Sequence, residues 1–458
     1  MIIQIKNFGP ISEFEIDLSK DLYLIYGENA VGKSYATRLI YCIYDSLNID
    51  SEFVLFILSN LMKEQDEVVA KLNELVVMIS DFEKNKKEIP TKLLKFFVET
   101  FILPEFQTSL ENTFGNLDSV SNHLSNQKFS IHLSLKSFSF AITYNQKSKR
   151  LVIKNIKTTL KINTSKQDIP TIIQEFSLKI LNLFNPKSDI IENKEFADNI
   201  KDMGTSINVF NNQIYYLPAS RSGLYVALDS FGELMSELSQ HRNKFIKSTI
   251  KLPSLSKPVS DYFMLMSEFY SEPNPSESLR SIANDIETDV LDGEIIKKNE
   301  QYFFRSNQTN KLLPLAFSSS MISELAPIVT FIKYILQDTS HQTQQVLFIE
   351  EPEAHLHPRL QVKLMSHFVK LSQIGVKVII TSHSNYMFDK LGNMLLSGDC
   401  NPENIRIYHL EMTEHGSIMK DDMIPDEYGM DDYNFSKVSE ELYQERLALY
   451  ERKHNSQS

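Results

Sequence analysis

Residues 27–34 read Gly27-Glu28-Asn29-Ala30-Val31-Gly32-Lys33-Ser34 and follow directly on the apolar run Leu22-Tyr23-Leu24-Ile25-Tyr26. A strand that empties into this spacing predicts a phosphate-binding loop, because the glycines let the backbone curl and turn its N–H groups toward an anion. The helix expected from Ser34 to about Tyr44 adds the positive end of its dipole. Lys33 is then the point charge on the β- and γ-phosphates, and Ser34 the hydroxyl on Mg²⁺. The loop implies an α/β chain that binds a nucleoside triphosphate, with Mg²⁺ as its companion.

At 458 residues, 42% hydrophobic and 23% charged, the chain can bury a substantial core in two or three folding units and is not of disordered composition. Its two cysteines, Cys42 and Cys400, cannot build a disulfide framework or a four-ligand zinc site, and their scarcity suits a reducing, cytoplasmic setting. The opening Met1-Ile2-Ile3-Gln4-Ile5 reads as a strand rather than a signal peptide, and no apolar run is long enough to span a bilayer, so no membrane partner is expected. A formal net charge of −12 argues against wholesale coating of nucleic acid but leaves room for a local basic groove.

Strand alternation at Ile2 to Phe8, Phe14 to Leu18 and Leu22 to Tyr26 gives a β-rich start that feeds the loop. A helical pattern then runs from about Asp45 to Asn116. Within it, Leu61, Gln65, Val68, Leu72, Leu75, Ile79 and Phe82 recur at steps of three and four. That seam fits either an amphipathic helix packed on the returning stretch Leu93 to Phe106 or a short protein-binding coiled coil. Between Ser119 and Gln167 lie nine lysines or arginines and no carboxylate, with strand alternation at Phe129 to Leu135, Phe138 to Tyr144 and Leu151 to Ile156. Lys147, Lys149 and Arg150 fall at the expected hairpin tip, as a solvated face or as a contact for nucleic acid or an acidic partner. Gln213 to Leu217 reads as a strand, and a further hairpin is expected over Gly293 to Lys298, Tyr302 to Arg305 and Leu312 to Phe317.

Val346-Leu347-Phe348-Ile349 is a buried-strand run ending in Glu350-Glu351. Carboxylates at the tip of an apolar strand are poor core design, and their position is where a P-loop ATPase keeps its acids. Glu350 would hold the Mg²⁺ shell, and Glu351 would polarise the attacking water as general base. Pro352-Glu353-Ala354-His355-Leu356-His357-Pro358 follows, and then Val376 to Ile380 runs into Thr381-Ser382-His383-Ser384. His355 and His357 have no matching Cys or His cluster for a metal, so loop packing is expected of them.

These segments carry a family resemblance. Ile349 to Pro358 and Ile380 to Tyr386 look like the acidic-strand, D-loop and switch-histidine stretches of ABC-type ATPases of the OLD, RecF and SMC group, and the match with OLD-like members is the closest. Ile5-Lys6-Asn7-Phe8-Gly9-Pro10-Ile11 resembles their opening strand, and Tyr216 to Gly223 a segment frequent among them. The resemblance spans about 1–45 and 205–410. It implies an α/β, ABC-type P-loop head split by a largely helical insertion with some strands. The head's N-terminal lobe is expected at 1–45, the insertion at 46–204, the C-terminal lobe at 205–410 and an acidic tail at 411–458.

The resemblance also implies roles. His383 would sense the γ-phosphate, and Ser318-Ser319-Ser320 stands where the signature of such ATPases belongs, with Ser320 in place of the usual glycine; read alone, the serines are a helix N-cap. In that family the loop of one protomer and the signature of another face the same ATP. A homo-oligomer, at least a dimer, is therefore implied, with Ser319 and Ser320 binding the partner's nucleotide. Arg221 is a further candidate for reaching a phosphate or a partner. OLD-like ATPases commonly serve phage defence, so the chain resembles a sensor or scaffold subunit. The acids Asp421-Asp422 and Asp431-Asp432 lack the spacing of a fused TOPRIM nuclease, so a separate effector such as a nuclease or toxin is expected. The alternatives are a DNA-repair ATPase of RecF or SMC type, clamping DNA through 119–167, and a non-hydrolysing adaptor. The expected terminal helix, Ser436 to Lys453, either packs on its own head or docks an effector.

Overall fold

The computed structural model describes residues 1–47, 88–122, 127–159, 213–219, 221–224, 255–267, 276–298, 301–336, 344–420 and 433–455. The proposed seam over 61–82 lies outside them. The strands are β1 (Ile2–Phe8), β2 (Ile11–Asp17), β3 (Leu22–Gly27), β4 (Ser130–Ser134), β5 (Phe138–Asn145), β6 (Arg150–Thr158), β7 (Gln213–Leu217), β8 (Gly293–Lys298), β9 (Gln301–Ser306), β10 (Leu312–Pro314), β11 (Gln345–Glu350), β12 (Lys377–Ser382), β13 (Ile405–Thr413) and β14 (Gly416–Lys420). The helices are α1 (Lys33–Leu47), α2 (Ile89–Phe97), α3 (Leu103–Phe114), α4 (Lys257–Ser267), α5 (Glu277–Ile286), α6 (Ser320–Thr330), α7 (Pro358–Gln373), α8 (Asn385–Ser397) and α9 (Tyr433–Asn455).

Eleven strands form one sheet in the order β6-β5-β4-β1-β2-β14-β13-β3-β12-β11-β7, and β8 to β10 form a separate three-stranded sheet. The large sheet has two characters. From β7 through β11, β12 and β3 to β13 every pairing is parallel. From β2 through β1, β4 and β5 to β6 every pairing is antiparallel. Composition explains the split. β3, β11 and β12 are buried at every position, as strands covered on both faces must be. β5 alternates buried and half-buried residues along its whole length, as a strand covered on one face does.

Period-two alternation distributes the parallel strands between two cores. Tyr23, Ile25, Val346, Phe348 and Ile379 join α1, α2 and α3 on one face. Leu22, Leu24, Tyr26, Leu347, Ile349, Val378 and Ile380 join α5 to α8 on the other.

The three-strand expectation for the basic stretch holds, with one addition. Although β4 to β6 fall inside 46–204, β4 is hydrogen-bonded to β1 with Ile131 opposite Ile5 and Leu133 opposite Ile3. These strands therefore continue the head's own sheet. Lys147 and Lys149 sit in the exposed β5–β6 turn, and Arg150, Lys154 and Lys157 are exposed along β6, the outermost strand. Of the terminal helix α9, residues 438–450 are exposed, Leu442 and Leu449 included. No helix among the described residues is long and apolar enough to cross a membrane.

Candidate active site

The parallel register brings the carboxyl ends of four strands to one level. Tyr26 of β3 pairs with Ser382 of β12, Thr381 of β12 with Glu350 of β11, and Ile349 of β11 with Leu217 of β7. Ligands of open α/β sheets bind at that edge, and here it carries the phosphate loop, the two acids, His383 and Pro218–Arg221.

Two glycines shape the loop. Gly27 has φ +145° and a Cβ there would stand 2.3 Å from the Leu410 carbonyl oxygen of β13; Gly32 has φ +96° and a Cβ would meet Pro10 and Ile11 within 3 Å. Neither position accepts a side chain without moving backbone or core. Glu28, Asn29 and Ala30 form the exposed crest, Val31 is buried beneath it, and Ser34 stands half-buried on the first turn of α1.

Lys33 is the centre of the site. Its ammonium donates to the carbonyls of Gly27 (2.9 Å) and Glu28 (2.7 Å) and lies 3.3 Å from His383 Nδ1. His383 Nε2 lies 3.5 Å from Glu351 Oε1. An ammonium has no lone pair, so Nδ1 must accept from it and Nε2–H faces the carboxylate. The ring thus joins the residue expected on the phosphates to the residue expected to act as base. The His383 bond holds the Glu351 carboxyl below the usual range against the opposing effect of its burial. Burial lowers the Lys33 ammonium to about 8, opposed by Glu351 and Glu353.

Glu351 has φ +46°, a left-handed backbone rare for so bulky a side chain. Its N–H donates to the Thr381 carbonyl at 2.9 Å, and its carbonyl accepts from Arg221 Nη2 at 3.1 Å. Strain of this kind persists only where surrounding structure over-determines it.

Arg221 supplies much of that determination, and the expectation that it reaches a phosphate or a partner is overturned. It is 0% exposed. Its guanidinium donates to the carbonyls of Pro218 (3.0 Å), Glu324 (3.0 Å), Glu350 (2.6 Å) and Glu351 (3.1 Å), and pairs with the Glu324 carboxylate at 3.4 Å. Glu324 also accepts from the Arg221 and Ser222 backbone N–H groups and the Ser222 hydroxyl. Every partner is internal, so the side chain works beneath the site.

Glu353, to which the sequence reading assigned no role, plays a matching part under His383. Its buried carboxylate accepts from the Ser382 hydroxyl (2.7 Å) and from the His383 N–H (2.5 Å), fixing the turn that aims the ring. Glu350 accepts from Arg38 (3.2 Å) and from the Ala219 N–H (3.2 Å). Arg38 lies one turn beyond Ser34 on the same face of α1, a spacing visible in the sequence. His357 caps α7 by accepting from the Arg359 N–H, in keeping with a packing role.

Among the described residues no hydrogen bond joins Ser319 or Ser320 to this cluster. Both are exposed at the start of α6, where Ser319 accepts from the Ile322 N–H. Helix α6 begins at Ser320 with Ser319 as its cap, as the serines read alone suggest. Beside them Phe317 is 82% exposed.

The donor set fits Mg²⁺: Ser34 offers a hydroxyl, and Glu350 offers Oε1, a buried oxygen with no hydrogen-bond partner among the described residues. Mg²⁺ is commonly held by one or two carboxylate or hydroxyl oxygens together with substrate phosphates, not by an all-protein cage. Among the described residues no cluster of three His, Cys, Asp or Glu side chains could form such a cage.

A family profile described as an AAA ATPase domain matches residues 1–388. The chain belongs to the AAA ATPase domain family. The matched span holds the whole cluster from Gly27 to His383, while β13 and β14 beyond it complete the same sheet. No curated protein sequence matches the chain. Among solved structures it is similar to the SMC head domain from Thermotoga maritima, at 9% identity and TM-score 0.34 over 92% of this chain and 97% of that one. It is also similar to an SmcHead bound to the C-winged helix domain of ScpA, at 12% and 0.37 over 92% and 96%. A third is an Smc head with an extended coiled coil bound to the C-terminal domain of ScpA derived from Pyrococcus furiosus, at 10% and 0.37 over 96% and 98%.

Two outcomes follow for the AAA ATPase domain. Replacing Glu324 by Gln leaves Arg221 buried without its counter-charge and should lower the unfolding free energy by about 3 kcal/mol in urea denaturation. An unchanged midpoint would mean that the carbonyls alone hold Arg221. Lys33 is largely neutral above pH 8 in the folded chain but charged in the unfolded one, so its contribution to stability rises between pH 8 and its ordinary value. A bound triphosphate restores the charge, so ATP binding at pH 8.5 should take up roughly three-quarters of a proton and at pH 7 roughly a tenth. Calorimetry in buffers of different ionisation enthalpy measures this, and equal heats at pH 8.5 would contradict it.

Proposed function

We propose that the protein is an ATP-driven switch that binds and hydrolyses Mg²⁺–ATP between head-to-tail protomers and serves as sensor or scaffold of a phage-defence module with a separate effector. The observation that carries the ATPase reading is the line Lys33–His383–Glu351 at the carboxyl edge of β3, β12 and β11. Lys33 binds phosphate, Glu351 takes the proton of the attacking water, and His383 passes the state of one to the other. Mg²⁺, when bound, neutralises charge on the phosphates through Ser34 and Glu350.

The head-to-tail arrangement is supported by Ser319, Ser320 and Phe317. They form an exposed helix start with an exposed aromatic. Such a patch suits burial against a second copy. The defence role rests on the likeness of 349–358 and 380–386 to OLD-like ATPases.

Glu351→Gln should accumulate an ATP-bound assembly in light scattering, Lys33→Ala should form none, and Phe317→Asp should bind ATP yet stay a monomer. Equal phosphate release and equal mass in all of them would refute these roles.

The second reading, a nucleic-acid clamp, is favoured by one observation: exposed Lys147, Lys149, Arg150, Lys154 and Lys157 line a sheet edge without an interspersed carboxylate. Replacing Lys147, Lys149 and Arg150 by Glu should then weaken duplex binding and flatten its dependence on salt. Binding that is unaltered, or absent in the parent chain, removes the clamp.

A further inference from the structure

Arg38 and Glu350 stand 312 residues apart in the chain and meet at the mouth of the site. The Glu350 side chain is 2% exposed and that of Arg38 32%. A carboxylate buried to this degree requires polar partners for its oxygens. The ionic partner is Arg38, whose Nη2 stands 3.2 Å from Glu350 Oε2.

The two oxygens of Glu350 are treated differently. Oε2 accepts from Arg38 Nη2 and from the Ala219 N–H, and the Tyr216 hydroxyl stands close to the same carboxyl, whereas Oε1 is buried without a hydrogen bond among the described residues. Ala219 belongs to the Pro218–Arg221 segment that Arg221 locks to β11, so the clamp on Oε2 is anchored on both sides. Oε1 is left as the one oxygen available to a cation.

We propose that Arg38 is the resident counter-ion of Glu350: it holds one oxygen of this acid in place before metal arrives and makes divalent-cation capture conditional on the triphosphate. The inference rests on the Mg²⁺–ATP reading of the site. A cation approaching alone must settle beside a guanidinium whose charge already balances the carboxylate, and like charges at close range in a half-buried site repel. A triphosphate on Lys33 brings several negative charges and reverses that balance. Arg38 is a positioning residue: it acts on Glu350 and takes no part in bond making.

The test is Mn²⁺ binding, read by electron paramagnetic resonance on the full chain with and without a non-hydrolysable ATP analogue, together with melting temperature. The parent chain should bind Mn²⁺ weakly alone and tightly with the analogue. Arg38→Gln should melt at lower temperature without metal, bind Mn²⁺ alone about ten-fold more tightly, and recover its melting temperature as Mn²⁺ is added. Arg38→Lys, which keeps the charge on a shorter reach, should fall between the two. Arg38→Gln combined with Glu350→Gln has no buried charge to balance. It should regain stability and lose nucleotide-free Mn²⁺ binding.

Destabilised Arg38→Gln with unchanged Mn²⁺ affinity would make Arg38 a packing residue and overturn the proposal. Tight binding that survives in the double variant would overturn it too. If Arg38→Gln does not fold, Mn²⁺ binding by Arg38→Lys decides, and an affinity equal to the parent's counts against the proposal. Failure of the parent chain to bind the analogue at all would instead remove the ATP reading, and the nucleotide-free comparison would still judge Arg38.

Discussion

A fully buried guanidinium holds the site together. Arg221 gathers four carbonyls from three places, the end of β7, the end of β11 and the start of α6, and its charge is met by Glu324. Carbonyls at strand ends lack ladder partners, and burying them unpaired is costly. Arg is suited to this because its fork presents five donors in fixed geometry. Glu351 can occupy its left-handed backbone because one of these bonds grips its carbonyl, so the aim of the expected base is set from below.

The same contact ties together elements with separate roles. Helix α6 carries Ser319 and Ser320 at its exposed start and Glu324 one turn inside. From there hydrogen bonds run without a break through Glu324 and Arg221 to the Glu350 and Glu351 carbonyls. The exposed start of α6 and the two acids thus belong to one packed polar network.

Much of this was legible in the chain before folding. The phosphate loop, the run ending in Glu350-Glu351 and the strand leading to His383 announce themselves because each is local: a few consecutive residues carry both the element and its chemistry. The strands over 129–156 were readable from alternation alone, but their attachment to β1 was not, since Ile131 opposite Ile5 is a choice of partner that periodicity does not make. The partners of Arg221, Glu353 and Arg38 were hidden for the same reason. Arg221 is a candidate for reaching a phosphate or a partner because nothing near it in the chain announces a buried counter-charge. Only the buried Glu324, 103 residues later, makes an inward path tolerable. Phe317 gave no signal, because a lone aromatic before a helix cap is ordinary core material.

Among the described residues the large sheet ends on one side at β6, where Gln107 of α3 accepts from the Leu151 N–H and no further strand pairs. A long open edge is a template for unwanted pairing with other chains. Arg150, Lys154 and Lys157 project from it in exposed positions, and pairing two such edges would set like charges against each other. Cations so placed have the character of gatekeepers, which disfavour pairing between copies of an edge through like-charge repulsion.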